Sequence, residues 1–216
     1  MLGAHFESEI REQPDVWRAI AASDKAQTLA HAIRERDVVL LGSGSSLFMA
    51  QLGALALRRR GIRAHALAAT EAPLDNVAYR NAAVIACSQS GRSGDLLEAL
   101  DLLQPKDLIA ISNTADSELG RRANLTIDLG AGPEVAVPAN KSVTETAAIL
   151  LWAAGLMAGT HSRSAESLTE TAEDVRSWLD GPGVEAVHEA AQRIARRRSV
   201  VIVAAGYGIP LPTNSR

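Results

Sequence analysis

The chain has 216 residues, 47% hydrophobic and 22% charged, enough for one domain of ordinary size with accessory elements and far from the composition of disordered chains. Aromatic residues make up only 3%, so Ala, Leu, Val and Ile must build the core, which favours helices packed on a sheet over an aromatic-rich sandwich. A formal net charge of −3 leaves no footprint for nucleic acid, and a single cysteine, Cys87, excludes an internal disulfide and zinc-ligand spacing.

In chain order, residues 5–35 read as one or two helices. Ile10, Val16, Trp17, Ile20, Leu29 and Ile33 recur at mostly helical spacing, and Pro14 marks a start or a break. Strands and helices then alternate. "DVVLLG" (37–42) runs into an apolar-periodic stretch from Leu47 to Leu57, closed by Gly61. "IRAHAL" (62–67) and a loop with Pro73 follow, then "AAVIAC" (82–87) and a helix from Ser93 to Leu103, ended by Pro105. "DLIAIS" (107–112), a short helical piece at 116–122 and "NLTIDL" (124–129) complete the series.

These strands are short, near-continuous apolar runs. That pattern predicts an α/β domain with a doubly wound parallel five-stranded sheet, buried on both faces and flanked by helices. After the loop "GAGPEVAVPANKS" come helices at about 142–158, 164–179 and 184–197, the last two separated by Gly181-Pro182-Gly183. The basic runs 58–60 and 196–198 sit where helices should end, complementing the helix dipole. "SVVIVAAGYG" (199–208) repeats the grammar of residues 37–44. The expected organisation is a helical segment over 1–35, the α/β domain over 36–160, a helical connector over 161–197 and the start of a truncated second unit over 198–216. No apolar run reaches the length of a membrane span, and "MLGAHFESEIREQ" is charged too early for a signal peptide. The expected location is the cytoplasm, with no membrane partner.

Two strand-to-helix turns carry the chemistry. "VVLLGSGSSLFMAQLG" (38–53) and "VIACSQSGRSGDLL" (84–97) each end an apolar run in serines and glycines. A helix N-terminus there offers free N–H groups and a favourable dipole to an anion. Gly42, Gly44 and Gly91 let the backbone approach a ligand, and Ser43, Ser45, Ser46, Ser88, Ser90 and Ser93 add hydroxyls suited to phosphate or sugar oxygens. One serine would cap each helix; three hydroxyls per loop exceed that need. Arg92 can add a charge to the second loop.

Other chemistries fit poorly. "GSGSSL" starts like a dinucleotide fingerprint, but Leu47 stands where the third glycine belongs and Glu71 comes too late for the ribose carboxylate. His5, His31, His65, His161 and His188 lack metal-ligand spacing, and Ser45 lacks a nucleophile-elbow frame. Cys87 ends an apolar run and reads as a buried structural thiol. No metal and no cofactor are expected.

"LGSGSS", "SQSGRSGDLLEAL" and "AGPEVAVPANKSVT", in this order and spacing, resemble the SIS (sugar isomerase) domain over residues 8–160. "SEIREQPDVW" is similar to the start of the isomerase half of glucosamine-6-phosphate synthase, and equally to stand-alone tandem-SIS deaminases and phosphosugar isomerases. "VIVAAGYG" resembles the first strand of a second SIS unit. The resemblance implies a phosphosugar site. Ser45 and Ser46 match its first hydroxyl pair, with Ser43 and Gly44 in the same turn; Ser88, Gln89, Ser90 and Ser93, with Gly91, match the phosphate loop. The segment with Val137, Ala139 and Lys141 matches the part that closes over the sugar. Ala139-Asn140 stand where a Ser-Thr pair often precedes the lysine, and Arg92 replaces a common acidic residue. Glu134 reads as a structural residue holding that last loop.

In such enzymes the acid/base glutamate and lysine lie in the second unit, beyond Arg216. The expectation is therefore a phosphosugar-binding domain, the N-terminal part of a tandem-SIS aldose/ketose isomerase or aminosugar-phosphate deaminase. Its ligand would be of the fructose 6-phosphate or glucosamine 6-phosphate class, and its assembly a homodimer. The alternative is a non-catalytic phosphosugar-binding regulator, although residues 1–35 are too short and too acidic for the helix-turn-helix that such regulators place before the domain.

Overall fold

A computed structural model describes residues 3–72, 81–158 and 161–201, with backbone only at 161–164. The strands are β1 (Val38–Gly42), β2 (Ala64–Ala68), β3 (Ala83–Ser88), β4 (Leu108–Ser112) and β5 (Leu125–Asp128). They form one parallel sheet in the order β2-β1-β3-β4-β5. The helices are α1 (Ala4–Ala21), α2 (Lys25–Ala32), α3 (Ser45–Arg58), α4 (Gly94–Leu103), α5 (Glu118–Arg122), α6 (Lys141–Met157), α7 (His161–Leu179) and α8 (Pro182–Ala195).

Strand alternation sorts the core into two layers. Val38, Leu40, Ile85, Cys87, Ile109 and Ile111 point to the face covered by α2, α3 and α6. Val39, Leu41, Val84, Ala86, Leu108 and Ala110 point to the face covered by α4 and α5. Burial on both faces holds for the central strands β1, β3 and β4, which are buried at every position. The edge strands β2 and β5 are only partly covered, because each lacks a neighbour on one side.

Pro14 neither starts nor breaks a helix: α1 runs through it, and the chain turns only after Ala21. A mid-helix proline forfeits one backbone bond and costs about 3 kcal/mol. Here α1 is over-determined from outside. It packs on α6 and α7, Arg176 of α7 bonds Asp15 at 2.6 Å and the Arg11 carbonyl at 3.0 Å, and Trp17 donates to Thr144 of α6 at 3.1 Å.

The three helices expected after residue 141 are present as α6, α7 and α8. The strand expected at 199–208 is absent from residues 199–201, and its remainder lies outside the described residues, as does the loop at Pro73.

Candidate functional site

From β1 the chain crosses to β2 on one side, and from β3 it crosses to β4 on the other. The carboxyl ends of β1 and β3 therefore diverge, opening the crevice where doubly wound sheets receive ligands. Both serine loops leave from these two ends.

The first loop is a tight reversal. A Cβ on Gly42 would stand 2.6 Å from the Ser46 carbonyl carbon, so only glycine lets the strand end meet the helix start this closely. Gly44, at φ +55°, is the N-cap of α3 and makes no side-chain cap. Ser43 leaves the turn sideways and donates its hydroxyl to Asp95 in the first turn of α4, which ties the two loops together.

The second loop is pinned from below. The Gln89 carbonyl accepts the Asn113 N–H at 3.1 Å and the Ser112 hydroxyl at 3.3 Å, while the Gly91 carbonyl accepts the Leu119 N–H at 3.0 Å. Gly91 has φ +61°, and a Cβ there would stand 2.0 Å from Ser117 Oγ. Ser88 Oγ accepts the Gly91 N–H at 3.1 Å and lies 3.0 Å from Ser93 Oγ; Ser90 Oγ accepts the Arg92 N–H at 3.3 Å. Arg92 itself is exposed.

The serines are not spent as caps. Ser93 is the N-cap residue of α4 yet makes no side-chain cap, and α3 has a glycine, Gly44, at that position. By contrast Ser117 does cap α5, accepting the Gly120 N–H at 3.2 Å. No serine hydroxyl therefore caps either helix start, although the Ser46 and Leu47 N–H groups donate to the Ser43 and Gly44 carbonyls at 3.1 Å and the Leu96 N–H to Asp95 Oδ1 at 2.9 Å.

A third loop, residues 129–140, descends from β5 to α6. Glu134 holds its end to the helix start: Oε1 accepts the Asn140 N–H at 2.7 Å and the Ser142 N–H at 3.3 Å, and Oε2 accepts the Ser142 hydroxyl at 2.6 Å. Ser45, Ser46, Gln89 and Ala139 meet across one small cavity of about 10 Å³, together with Met49, Ser142, Val143 and Thr146. That space fits one water, so a larger ligand must seat on the open rim above it. The remaining sequence-predicted residues do not enter this cavity. Val137 is fully exposed at the loop tip. Lys141 is buried, and its ammonium donates to Glu12 Oε2 at 2.6 Å and to the Pro133 carbonyl at 2.8 Å. Ser142 and Thr146 escaped the sequence reading; their i,i+4 spacing at the start of α6 was the available signal.

Two buried groups nearby titrate abnormally. Burial pushes the Cys87 thiol up to about 12, which makes it inert, in keeping with a structural thiol. Glu145 on α6 is fully buried with neither carboxyl oxygen hydrogen-bonded, and burial raises it to about 8 despite the nearby Lys25 charge. Larger hollows exist elsewhere. One of about 530 Å³, lined by Gln27, His31, Arg34 and Met157, lies at the far end of α6, about 25 Å from its first turn. It contains none of the serine-loop residues, so chemistry rather than size selects the site.

The fold and site define a doubly wound α/β protein whose hydroxyl-rich loops face the crevice at the switch point. The chain belongs to the SIS domain family, which matches residues 32–157. It is 24% identical over 212 residues to a glutamine–fructose-6-phosphate aminotransferase [isomerizing] of Sulfurisphaera tokodaii, covering 94% of this chain and 35% of that one. With the enzyme of the same description from Methanocaldococcus jannaschii it shares 33% identity over 147 residues, covering 66% of this chain and 13% of that one. The fold matches the C-terminal domain of glucosamine-fructose-6-phosphate aminotransferase from Francisella tularensis with a TM-score of 0.70 at 19% identity, covering 88% of this chain and 58% of the other. The chain thus spans about a third, or less, of the length of these curated relatives.

Among the described residues, no helix is long and apolar enough to cross a membrane, and no cluster of three metal-ligating side chains occurs.

Proposed function

We propose that this chain is a phosphosugar-binding SIS domain and forms the N-terminal part of a tandem-SIS aldose/ketose isomerase or aminosugar-phosphate deaminase. The observation that carries the reading is the pair of helix starts at the strand ends: α3 and α4 open among six serines, none of whose hydroxyls caps them. In this reading the phosphate sits against Ser88, Gln89, Ser90, Gly91 and Ser93, and Arg92 adds charge at the rim. Ser45 and Ser46 face the sugar from the first loop, with Ser43 and Gly44 shaping their turn; Val137 and Ala139 wall it on the third side. Lys141 contributes by holding that wall.

Moving a proton between adjacent sugar carbons needs a positioned base. Among the described residues, the small cavity between the loops is lined by hydroxyl, amide, thioether and aliphatic groups, and in this reading the base comes from outside it. The relatives' greater length supports a source in a second unit, of which 198–216 is the start, following the SIS domain at 36–160 and the connector at 161–197. The helical segment 1–35 packs back on that domain, and the assembly is a cytoplasmic homodimer. The hydroxyl, amide and aliphatic lining of that cavity also suits a second reading, a phosphosugar-binding regulatory module without catalysis.

Calorimetric titration with fructose 6-phosphate and glucosamine 6-phosphate tests binding, with unphosphorylated sugar and inorganic phosphate as controls. Saturable binding that weakens about tenfold or more in Ser90→Ala supports the site. Equal affinity for phosphorylated and unphosphorylated sugar contradicts it.

A further inference from the structure

The densest polar construction outside the serine loops lies where α1 meets the third loop. Glu9 is 4% exposed, and both of its carboxylate oxygens are occupied. Oε1 accepts the N–H groups of Val135 at 2.5 Å and Ala136 at 3.0 Å, and Oε2 accepts Asn140 Nδ2–H at 2.9 Å. Burial alone would raise its pKa; the Ala136, Val135 and Asn140 bonds and the Lys141 charge outweigh that and hold it below the usual carboxylate range. One turn on, Gln13 donates to Asn140 Oδ1 at 3.1 Å, and Glu12 pairs with Lys141.

Among the described residues, Glu9 supplies every hydrogen bond that reaches residues 135–139. Those residues include Val137, fully exposed, and Ala139, on the crevice wall. Their position relative to the serine loops is therefore set by a carboxylate 126 residues earlier in the chain.

We infer that Glu9 is a positioning residue that fixes the sugar-facing wall of the site, so that α1 governs selectivity for a sugar phosphate over phosphate alone. This rests on the phosphosugar reading above. The second serine loop is pinned beside β4 and to α5 instead, the first is tied to α4 through Ser43 and Asp95, and together they govern affinity for the phosphate. The carboxylate is required because it is acceptor-only. In Glu9→Gln, one oxygen can still accept the two backbone N–H groups, but the new amide then faces Asn140 Nδ2, another donor. Flipping Asn140 relieves that contact only by turning its amide onto Gln13 Nε2.

The test is calorimetry on the full chain with glucosamine 6-phosphate, fructose 6-phosphate and inorganic phosphate, for wild type, Glu9→Gln, Asn140→Ala and Asp15→Asn. Asp15→Asn loosens α1 from α7 without touching the loop. The expected result is a rise of about tenfold in the sugar-phosphate Kd for Glu9→Gln and a smaller rise for Asn140→Ala. The inorganic-phosphate Kd stays within about twofold in both, and Asp15→Asn matches wild type for every ligand. Unchanged sugar-phosphate affinity in both loop variants, or parallel weakening of sugar phosphate and phosphate, overturns the inference and leaves the phosphosugar site standing. A wild type that does not prefer sugar phosphate to phosphate overturns the functional reading and this inference with it. Should Glu9→Gln fail to fold, Asn140→Ala carries the same comparison.

Discussion

The serine loops and the third loop meet at one crevice but are held there by opposite means. The serine loops grow from strand ends, with two positions that only glycine fills, the Ser88 and Ser93 hydroxyls bonded within their own loop, and ties to the elements beside them through Ser43, Gln89 and Gly91. Residues 135–139 have no such internal support and hang from Glu9 on α1. A loop rooted in strand ends and glycine turns is broken at its own residues; a loop hung from a distant helix is retuned from that helix. Under the proposed function, phosphate grip and sugar fit can then change independently within one site.

Gly91→Ala is the most severe way to break the locally built side. Its Cβ would collide with Ser117 Oγ at a backbone angle L-residues rarely adopt. A loss of about 3 kcal/mol or more in urea denaturation, with loss of ligand binding, is expected. Wild-type stability in that variant would mean that the loop is not pinned as described.

Glu145 concerns α6, which carries the foot of the third loop and one wall of the crevice. The folded state keeps its proton up to about pH 8, whereas the unfolded chain releases it near the ordinary carboxyl value of 4.5. Between these values the folded state binds more protons, so stability falls as pH rises through the window. Glu145→Leu removes the penalty and should stabilise the protein by about 1–3 kcal/mol at pH 8, with the pH dependence vanishing below about 4.5. Thermal melts across that range check it, and a gain that grows toward low pH would reverse the assignment.

Lys141→Met gives the smallest effect on phosphate. Its ammonium is committed to Glu12 and the Pro133 carbonyl. Inorganic-phosphate affinity should therefore stay within about twofold while sugar-phosphate affinity falls with the loop. A tenfold loss of phosphate affinity would show that the lysine swings onto the ligand.

What the sequence made legible follows the same division. The strands, the switch from apolar run to serine turn and the helices after residue 141 are encoded by neighbours in the chain, and periodicity reads them to within a few residues. Ser45, Ser46 and Gln89 face the cavity because a strand-to-helix turn at a sheet's carboxyl end puts them there. Pro14 misled, because local preference argues for a break and packing against α7 overrides it. The Glu9 clamp and the Ser43–Asp95 tie were invisible for a related reason: each joins residues that only the folded topology brings together. Lys141 was legible as a loop residue but not as a buried one, since its partner Glu12 lies on α1.

The central claim is that the two serine loops form one cradle. Amide chemical-shift mapping by NMR, as glucosamine 6-phosphate is titrated into the full chain, tests it most directly. Saturable shifts are expected at Gly44, Ser45 and Ser46 together with Ser90, Gly91, Arg92 and Ser93, all with one Kd. Shifts confined to the hollow around Gln27, His31 and Arg34, or to one loop without the other, would contradict it.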